Sequence, residues 1–570
     1  MKLQLHSIRK ILWCLAGFIS ICFAAFNFYY LTHSHNQLLF DYFKLNNCFY
    51  KSESFAANYF NITTKYYGNI FSILSLLLCG IVIYLSIRKI KLIKPDFKEE
   101  FYFRIPKDFI PFYLVITGLS VLTWLYGVMN VAVSYDEVFS AGECAELPFF
   151  QTLTYYMLPN NHIGFNLLNK ILFFWVEDKV LSGKIISLVA YLLLNYISFF
   201  TLQKLLLSKK IALVGTLVLA LQFPVWGFAF EARGYELYCL AEVISFFSLI
   251  AYARNPQRKF LLVNCIASII GYTCLPTFLY LHLAQLLFGL WLYFKSKNAG
   301  LVYYRYQLYI VVGTFLFYLP SLCYSGLAAF TQNKYVHAVD TSYYQFSLQT
   351  FLALPSYFEY AFSNISIGII SLGLIFSLQP FVLIFNKKIK HKEVLVLTIL
   401  FMLLTLLIMI LMRRIPYHRN LIGHFYVLLF TGIYMLHFML NQLDQKINTT
   451  LINRYVMPVL LLVMLAIMGF RNSDAFNFLL YFDDLRLTYT ASQKVLAEIP
   501  EGSTVACSNG SFYIYYQARQ QNYQVKKCGL NQTMYYIIDK EEEKSEVLLE
   551  NYELKKQVSD YYVYIKKTIK

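Results

Sequence analysis

Charged side chains are scarce in this chain: Asp, Glu, Lys and Arg together make up 14% of its 570 residues. A soluble domain carries about 25%, so there is too little polar surface to face water on every side, and a water-soluble globule is excluded. Acidic residues are the rarer sign, 32 against 49 Lys and Arg. That excess builds no nucleic-acid groove, because the basic residues fall in short connections between apolar runs and no aromatic–basic module accompanies them. No Cys-x-x-Cys pair occurs, and the eleven cysteines lie mostly inside apolar runs, which reads as small core residues rather than metal ligands. Internal repeats, low-complexity linkers and alternating ten-residue strands are also missing, so neither a repeat array nor a β-barrel is indicated.

What is present is apolar length. Hydrophobic residues reach 58% and the mean hydropathy is +0.50. Runs of roughly twenty apolar residues recur, each long enough to cross a bilayer as helix. The fold class expected is an all-α polytopic membrane protein with about thirteen spans and a small C-terminal α/β extramembrane domain. The spans fit at 11–31, 67–87, 109–131, 181–203, 211–230, 235–253, 259–275, 276–294, 305–325, 364–386, 393–412, 421–441 and 455–470. The first follows Met1–Lys10 and has no small-residue cleavage site, so it reads as an uncleaved span. Three parts follow: an N-terminal hairpin with a basic loop (1–108), a transmembrane core (109–470) with an external loop at 132–180, and the tail domain (471–570).

Within the loop, the apolar segment 163–176 is too short to span and predicts a helix lying in the interface. Lys and Arg alternate from side to side at each turn and predict the N-terminus inside and the C-terminus outside. Arg413, Arg414 and Arg419 are the exception, being basic on the external side. In the tail, Thr504–Cys507, Phe512–Tyr516, Tyr535–Ile538 and Tyr561–Ile565 read as strands, with helices near 486–498 and 541–555. Cys507 and Cys528 are candidates for a disulfide in an oxidising compartment, with two free thiols as the ordinary alternative. The Asn-x-Ser/Thr triplets at Asn61, Asn448 and Asn531 carry little weight, since chance supplies such triplets and Asn448 falls on the inner side.

Three polar clusters sit at external ends of spans. Ser134-Tyr135-Asp136-Glu137 offers two adjacent carboxylates that suit a general base or a metal. The same residues also read as a solvated helix start, with Ser134 as cap. Pro159-Asn160-Asn161-His162 suits hydroxyl or phosphate contacts, and equally a turn before a helix. In Glu231-Ala232-Arg233-Gly234-Tyr235, an Arg close to the bilayer core faces a partner or a cavity, and its planar fork matches a phosphate. An ion pair with Glu231 or another acid is the structural alternative. Tyr417, His418 and Arg419 add to the positive face.

The order of these clusters resembles the GT-C glycosyltransferase superfamily: an acidic pair after an early span, an Asn-Asn-His loop, Ala-Arg-x-Tyr at an external hairpin, and Ile415-Pro416-Tyr417-His418-Arg419-Asn420 late in the chain. The likeness is nearer to the branch of protein O-mannosyltransferases and lipid A aminoarabinose transferases, and it covers about 109–440. His162-Ile163-Gly164 departs from the His-Pro-Pro of many relatives and leaves the substrate open.

The resemblance implies a polyprenyl-phosphate-linked sugar as donor and inverting transfer to a glycan, lipid or protein acceptor on the external face. In that reading Asp136 is the base, and Glu137 orients the acceptor or holds an ion. Arg233, Tyr235, Arg419 and His162 meet the donor phosphate, while Asn160, Asn161 and Tyr417 meet acceptor or sugar. No cofactor is required, with a divalent metal as an alternative. Membrane lipids are the other partners expected, nucleic acid is not, and the location expected is a bacterial inner membrane. A transporter or flippase remains the rival, since Glu242 and His282 fall within apolar runs. A polymer ligase using lipid-diphosphate donors is a second.

Overall fold

The protein is described from a computed structural model. It covers residues 2–44, 59–92, 100–102, 106–156, 161–331, 341–362, 364–385, 391–447, 452–479, 482–507, 512–521, 523–525, 533–539, 546–559 and 561–567. Asn160, Cys528, Asn448 and Asn531 lie outside the described residues.

A bundle of long apolar helices makes up the body of the chain. Among the described residues, nine helices are long and apolar enough to span a membrane, or eleven if each of two bent pairs counts as one. The expected thirteen therefore shrinks, for definite reasons. The run at 211–230 breaks into Lys209–Ala220 and Phe223–Ala229, bent by 74°, with Pro224 in the first turn of the second piece, where its missing N–H costs nothing. Tyr343–Phe362 and Ile365–Phe376 bend by 106°. Arg258–Cys274 has 17 residues, or about 26 Å, short of a core of about 30 Å. Arg454–Phe470 is likewise short.

Leu5–Thr32 and Ile62–Leu92 pack together as the expected first hairpin and lean on Lys297–Thr331. The helix Tyr235–Arg254 stands in the middle of the bundle, packed on Arg258–Cys274, Lys179–Leu206 and Ile422–Ile447. Small residues bring backbones close at its outer turn. A Cβ on Gly183 would come 2.7 Å from Cβ of Ala232, and one on Gly234 would come 2.9 Å from Cβ of His162. Gly183→Ala is therefore expected to destabilise the protein by about 1–3 kcal/mol, the usual cost of overpacking. A lowered Tm in detergent, with the turn at 231–234 displaced, is the measurement that checks it.

The segment 163–176 forms the helix Ile163–Leu172, ending in Phe174 and Trp175, which are 81% and 76% exposed. Two bare aromatics of this kind suit a bilayer interface.

The tail forms a five-stranded sheet in the order Gln524–Val525, Thr504–Cys507, Tyr535–Asp539, Tyr561–Lys566, Tyr552–Val558. Its first three strands are parallel and the last two join antiparallel. Phe482–Ala497 packs on Phe512–Gln520, and both contribute to the apolar core over the sheet. Two expectations fail here. Phe512–Tyr516 is helical because Tyr513, Ile514, Gln517 and Ala518 are the buried positions, a spacing of three to four that overrides the strand preference of tyrosine. Of the helix expected across 541–555, 541–545 lie outside the described residues, Glu546–Asn551 is helical, and the rest fails because Tyr552–Val558 pairs as a strand with Tyr561–Lys566.

Candidate active site

The short helix Tyr135–Phe139 starts on Ser134. The Ser134 hydroxyl accepts from the Glu137 N–H at 3.2 Å, and Glu137 Oε2 accepts from the Ser134 N–H at 2.7 Å. This is a capping box, the product of Ser-x-x-Glu spacing. The other oxygen, Oε1, accepts from the Ala232 N–H at 2.8 Å and lies 3.4 Å from Lys184 Nζ. Glu137 is thus a buried tie between the loop, the outer turn and the helix Lys179–Leu206, and both of its oxygens are engaged by protein. Glu137→Ala leaves a buried lysine and two N–H groups without their partner. A loss of about 3–5 kcal/mol is expected, read as a Tm drop that Glu137→Gln only partly repairs.

Asp136 makes a different set of contacts. Its Oδ2 is 3.1 Å from Arg419 Nη1 and 3.6 Å from Arg233 Nη2. Arg233 Nη1 also donates to the Asp136 backbone carbonyl at 3.1 Å. Arg233 is held from behind: Ser187 Oγ donates to the Glu231 carbonyl at 2.6 Å and lies 3.3 Å from that of Arg233, which sets the turn between Phe223–Ala229 and Tyr235–Arg254. The Tyr235 ring lies 5.4 Å from the Arg233 guanidinium and 5.7 Å from that of Arg419. Tyr417, exposed, lies 5.1 Å from the Arg419 guanidinium. The Arg419 loop is steadied by Tyr357, whose hydroxyl donates to the Pro416 carbonyl and whose ring lies 4.0 Å from that of His418.

The structure therefore brings together Asp136, Arg233, Arg419, Tyr235 and Tyr417 from three distant parts of the sequence. Asp136 is the acid paired with Arg233, in place of the neighbouring Glu231. Arg413 stands apart, donating to the Thr341 carbonyl at 2.9 Å beside the Tyr343 ring. Asn161 is buried, its amide donating to the carbonyls of Thr152 and Tyr155 and accepting from Asn166 at 2.9 Å. It fixes the loop and has no polar group turned to a sugar.

His162 is fully buried. Nδ1 lies 3.0 Å from the Cys274 carbonyl, so that nitrogen carries the proton and donates. Nε2 has no partner. Burial, and then the positive charge of Arg233, hold its pKa well below the usual histidine range. The ring is therefore neutral and Nε2 is left as a lone pair.

Glu231 sits half-buried in the same turn and, among the described residues, its side chain makes no hydrogen bond or ion pair. Burial and then the negative charge of Glu137 push its pKa up to about 8, against the pull of Arg233. Adjacency to Arg233 suggested a pair, yet the Arg233 fork is turned to Asp136. The tail domain also reaches this end of the bundle. Tyr515 and Tyr516 hydroxyls donate to Glu146 and Asp178, each at 3.0 Å, and the Tyr513 ring lies 6.1 Å from that of Tyr135. No local signal in the sequence marks Lys184 or these tyrosines.

Two guanidiniums thus converge on one carboxylate that is itself 29% exposed. An excess positive charge on planar forks suits a phosphate, and a reachable carboxylate beside it suits proton abstraction. Among the described residues, no group of three or more His, Cys, Asp or Glu is arranged to hold a metal ion.

No family model matches the sequence, nor does any curated protein. Among solved structures, ArnT from Cupriavidus metallidurans in the apo state matches with a TM-score of 0.51 and 10% identity, over 80% of this chain and 98% of that one. ArnT from the same organism bound to undecaprenyl phosphate matches at 0.48, with the same identity and coverage. Arabinosyltransferase EmbB from Mycobacterium smegmatis matches at 0.38 and 13% identity, over 64% of this chain and 34% of that one. At such identity the likeness to apo ArnT is one of fold.

Proposed function

We propose that this protein is an inverting glycosyltransferase that moves a sugar from a polyprenyl phosphate to an acceptor on the external face of a membrane. The observation that carries the reading is the Asp136 carboxylate held between Arg233 and Arg419 at the end of the bundle where the tail domain docks. The GT-C-type fold supports it, and ArnT, whose apo form shares this fold, binds undecaprenyl phosphate.

An acceptor hydroxyl or amine attacks the anomeric carbon while the bond from that carbon to the phosphate oxygen breaks. The acceptor proton goes to Asp136. The departing lipid phosphate takes the bonding electrons and gains a second negative charge, so it needs cations rather than an acid. Arg233 and Arg419 supply them, with Tyr235 between their planes. Tyr417, on the exposed side, meets acceptor or sugar, as Asn160 does in the same reading. The neutral His162 offers its lone pair to a hydroxyl. Glu137 keeps the loop and turn in register. Phe174 and Trp175 hold the loop at the interface in a multi-pass protein of a bacterial inner membrane, with the N-terminus inside and the tail outside.

The test uses purified protein with a panel of radiolabelled polyprenyl-phosphate sugars and a crude envelope acceptor fraction. Label transfer that requires acceptor and releases lipid monophosphate is expected. Release of lipid diphosphate, or lipid movement across a vesicle without release, would overturn the reading in favour of a ligase or a flippase.

A further inference from the structure

Two cations and one carboxylate meet in the site, and Glu231 is left over. Arg233 and Arg419 both contact Asp136, while Glu137 is paired with Lys184. Glu231 has no side-chain partner among the described residues, although it shares its turn with Arg233. The groups that act on it electrostatically come from every side: Glu137 and Asp136 from the helix Tyr135–Phe139, Arg233 from its own turn, and Arg419 from the late loop. Tyr360 feels it in turn from the helix Tyr343–Phe362. A half-buried carboxylate with no partner is costly when charged.

Charge balance gives the same answer. With Glu231 neutral, the two arginines and Asp136 carry one net positive charge, which matches a donor phosphate diester of one negative charge. With Glu231 ionised the cluster is already neutral, and the diester makes it negative. The balance also survives the reaction, because the second charge on the released phosphate appears as Asp136 gains a proton.

Resting on the glycosyltransferase reading, we propose that Glu231 works as a neutral carboxylic acid whose O–H donates a hydrogen bond to the donor phosphate. It is a third phosphate ligand beside Arg233 and Arg419, and it takes no part in moving the acceptor proton. A carboxyl of this kind differs from an arginine in one respect that can be measured. It fails once it ionises, since the anion both loses its donor and repels phosphate. Its raised pKa puts that failure on the alkaline side of neutrality.

The full-length protein in detergent is titrated with undecaprenyl phosphate between pH 6.5 and 9, using wild type, Glu231→Gln and Glu231→Ala. The probe's own ionisation is common to all three and cancels in ratios. The amide keeps a donor, so Glu231→Gln is expected to bind within about threefold of wild type at pH 6.5. From pH 7 to 9 the wild-type affinity is expected to fall about tenfold relative to Glu231→Gln, the change that follows when a group of pKa near 8 loses its proton. Glu231→Ala is expected to bind more weakly than Glu231→Gln at every pH. A ratio of wild type to Glu231→Gln that stays flat with pH would overturn the proposal. So would a folded Glu231→Gln, unchanged in Tm, that binds lipid phosphate normally but transfers no sugar, because that pattern belongs to a general base. Failure of wild type to bind at any pH would instead remove the lipid-phosphate reading itself.

Discussion

Replacing Asp136 by Asn is expected to lower kcat by about a thousandfold, within the 10²–10⁴ range that a positioned general base contributes. The donor KM should stay level or fall. Asparagine removes the negative charge that Arg419 and Arg233 face at 3.1 and 3.6 Å, so both guanidiniums are freer to hold phosphate. A drop in kcat with no rise in KM marks an interaction made in the transition state. Steady-state kinetics at saturating acceptor decide the matter. A donor KM that rises with kcat intact would make Asp136 a holder of the arginines and take the proton-transfer role from it.

Arg233→Ala is expected to lower kcat/KM by about 10²–10³, the scale on which a preorganised charge-stabilising donor acts. Its side chain is 1% exposed and already oriented by the Asp136 carbonyl, so little of its effect is lost to solvent. Lysine should not rescue it, because a point cation cannot grip the carbonyl and a phosphate oxygen with one planar fork. Arg419, with its side chain 35% exposed, should matter less, about tenfold on Ala substitution, since water screens it. Equal losses at the two arginines, or full rescue by Arg233→Lys, would sink this ranking. Single-turnover rates of variants with matched Tm provide the comparison.

The helical bundle was readable because a bilayer forces length and composition on every span, and the bent pairs escaped because a break of a few residues leaves composition unchanged. Asp136 and Arg233 stood out because charge at the end of a span is costly without a partner. The helix start at Ser134-x-x-Glu137 was legible as capping spacing, but the partners that tie Glu137 down, Lys184 and the Ala232 N–H, lie 47 and 95 residues away. Asn161 has polar chemistry suited to a sugar, yet its bonds go to Thr152, Tyr155 and Asn166. Whether a polar side chain faces a ligand or its own loop depends on tertiary packing that local pattern does not encode. The same holds for Phe512–Gln520, where tyrosine content suggested a strand and burial at helical spacing decided otherwise.

Tyr513, Tyr515 and Tyr516 touch the loop that carries Asp136 across separations of 338 residues or more along the chain. The wall beside the carboxylate is therefore incomplete while the ribosome is still making the protein. Every span can insert, and the two arginines can reach Asp136, before the final hundred residues emerge. A chain cut short ahead of residue 512 would carry its charged cluster without the outer cover that these tyrosines supply.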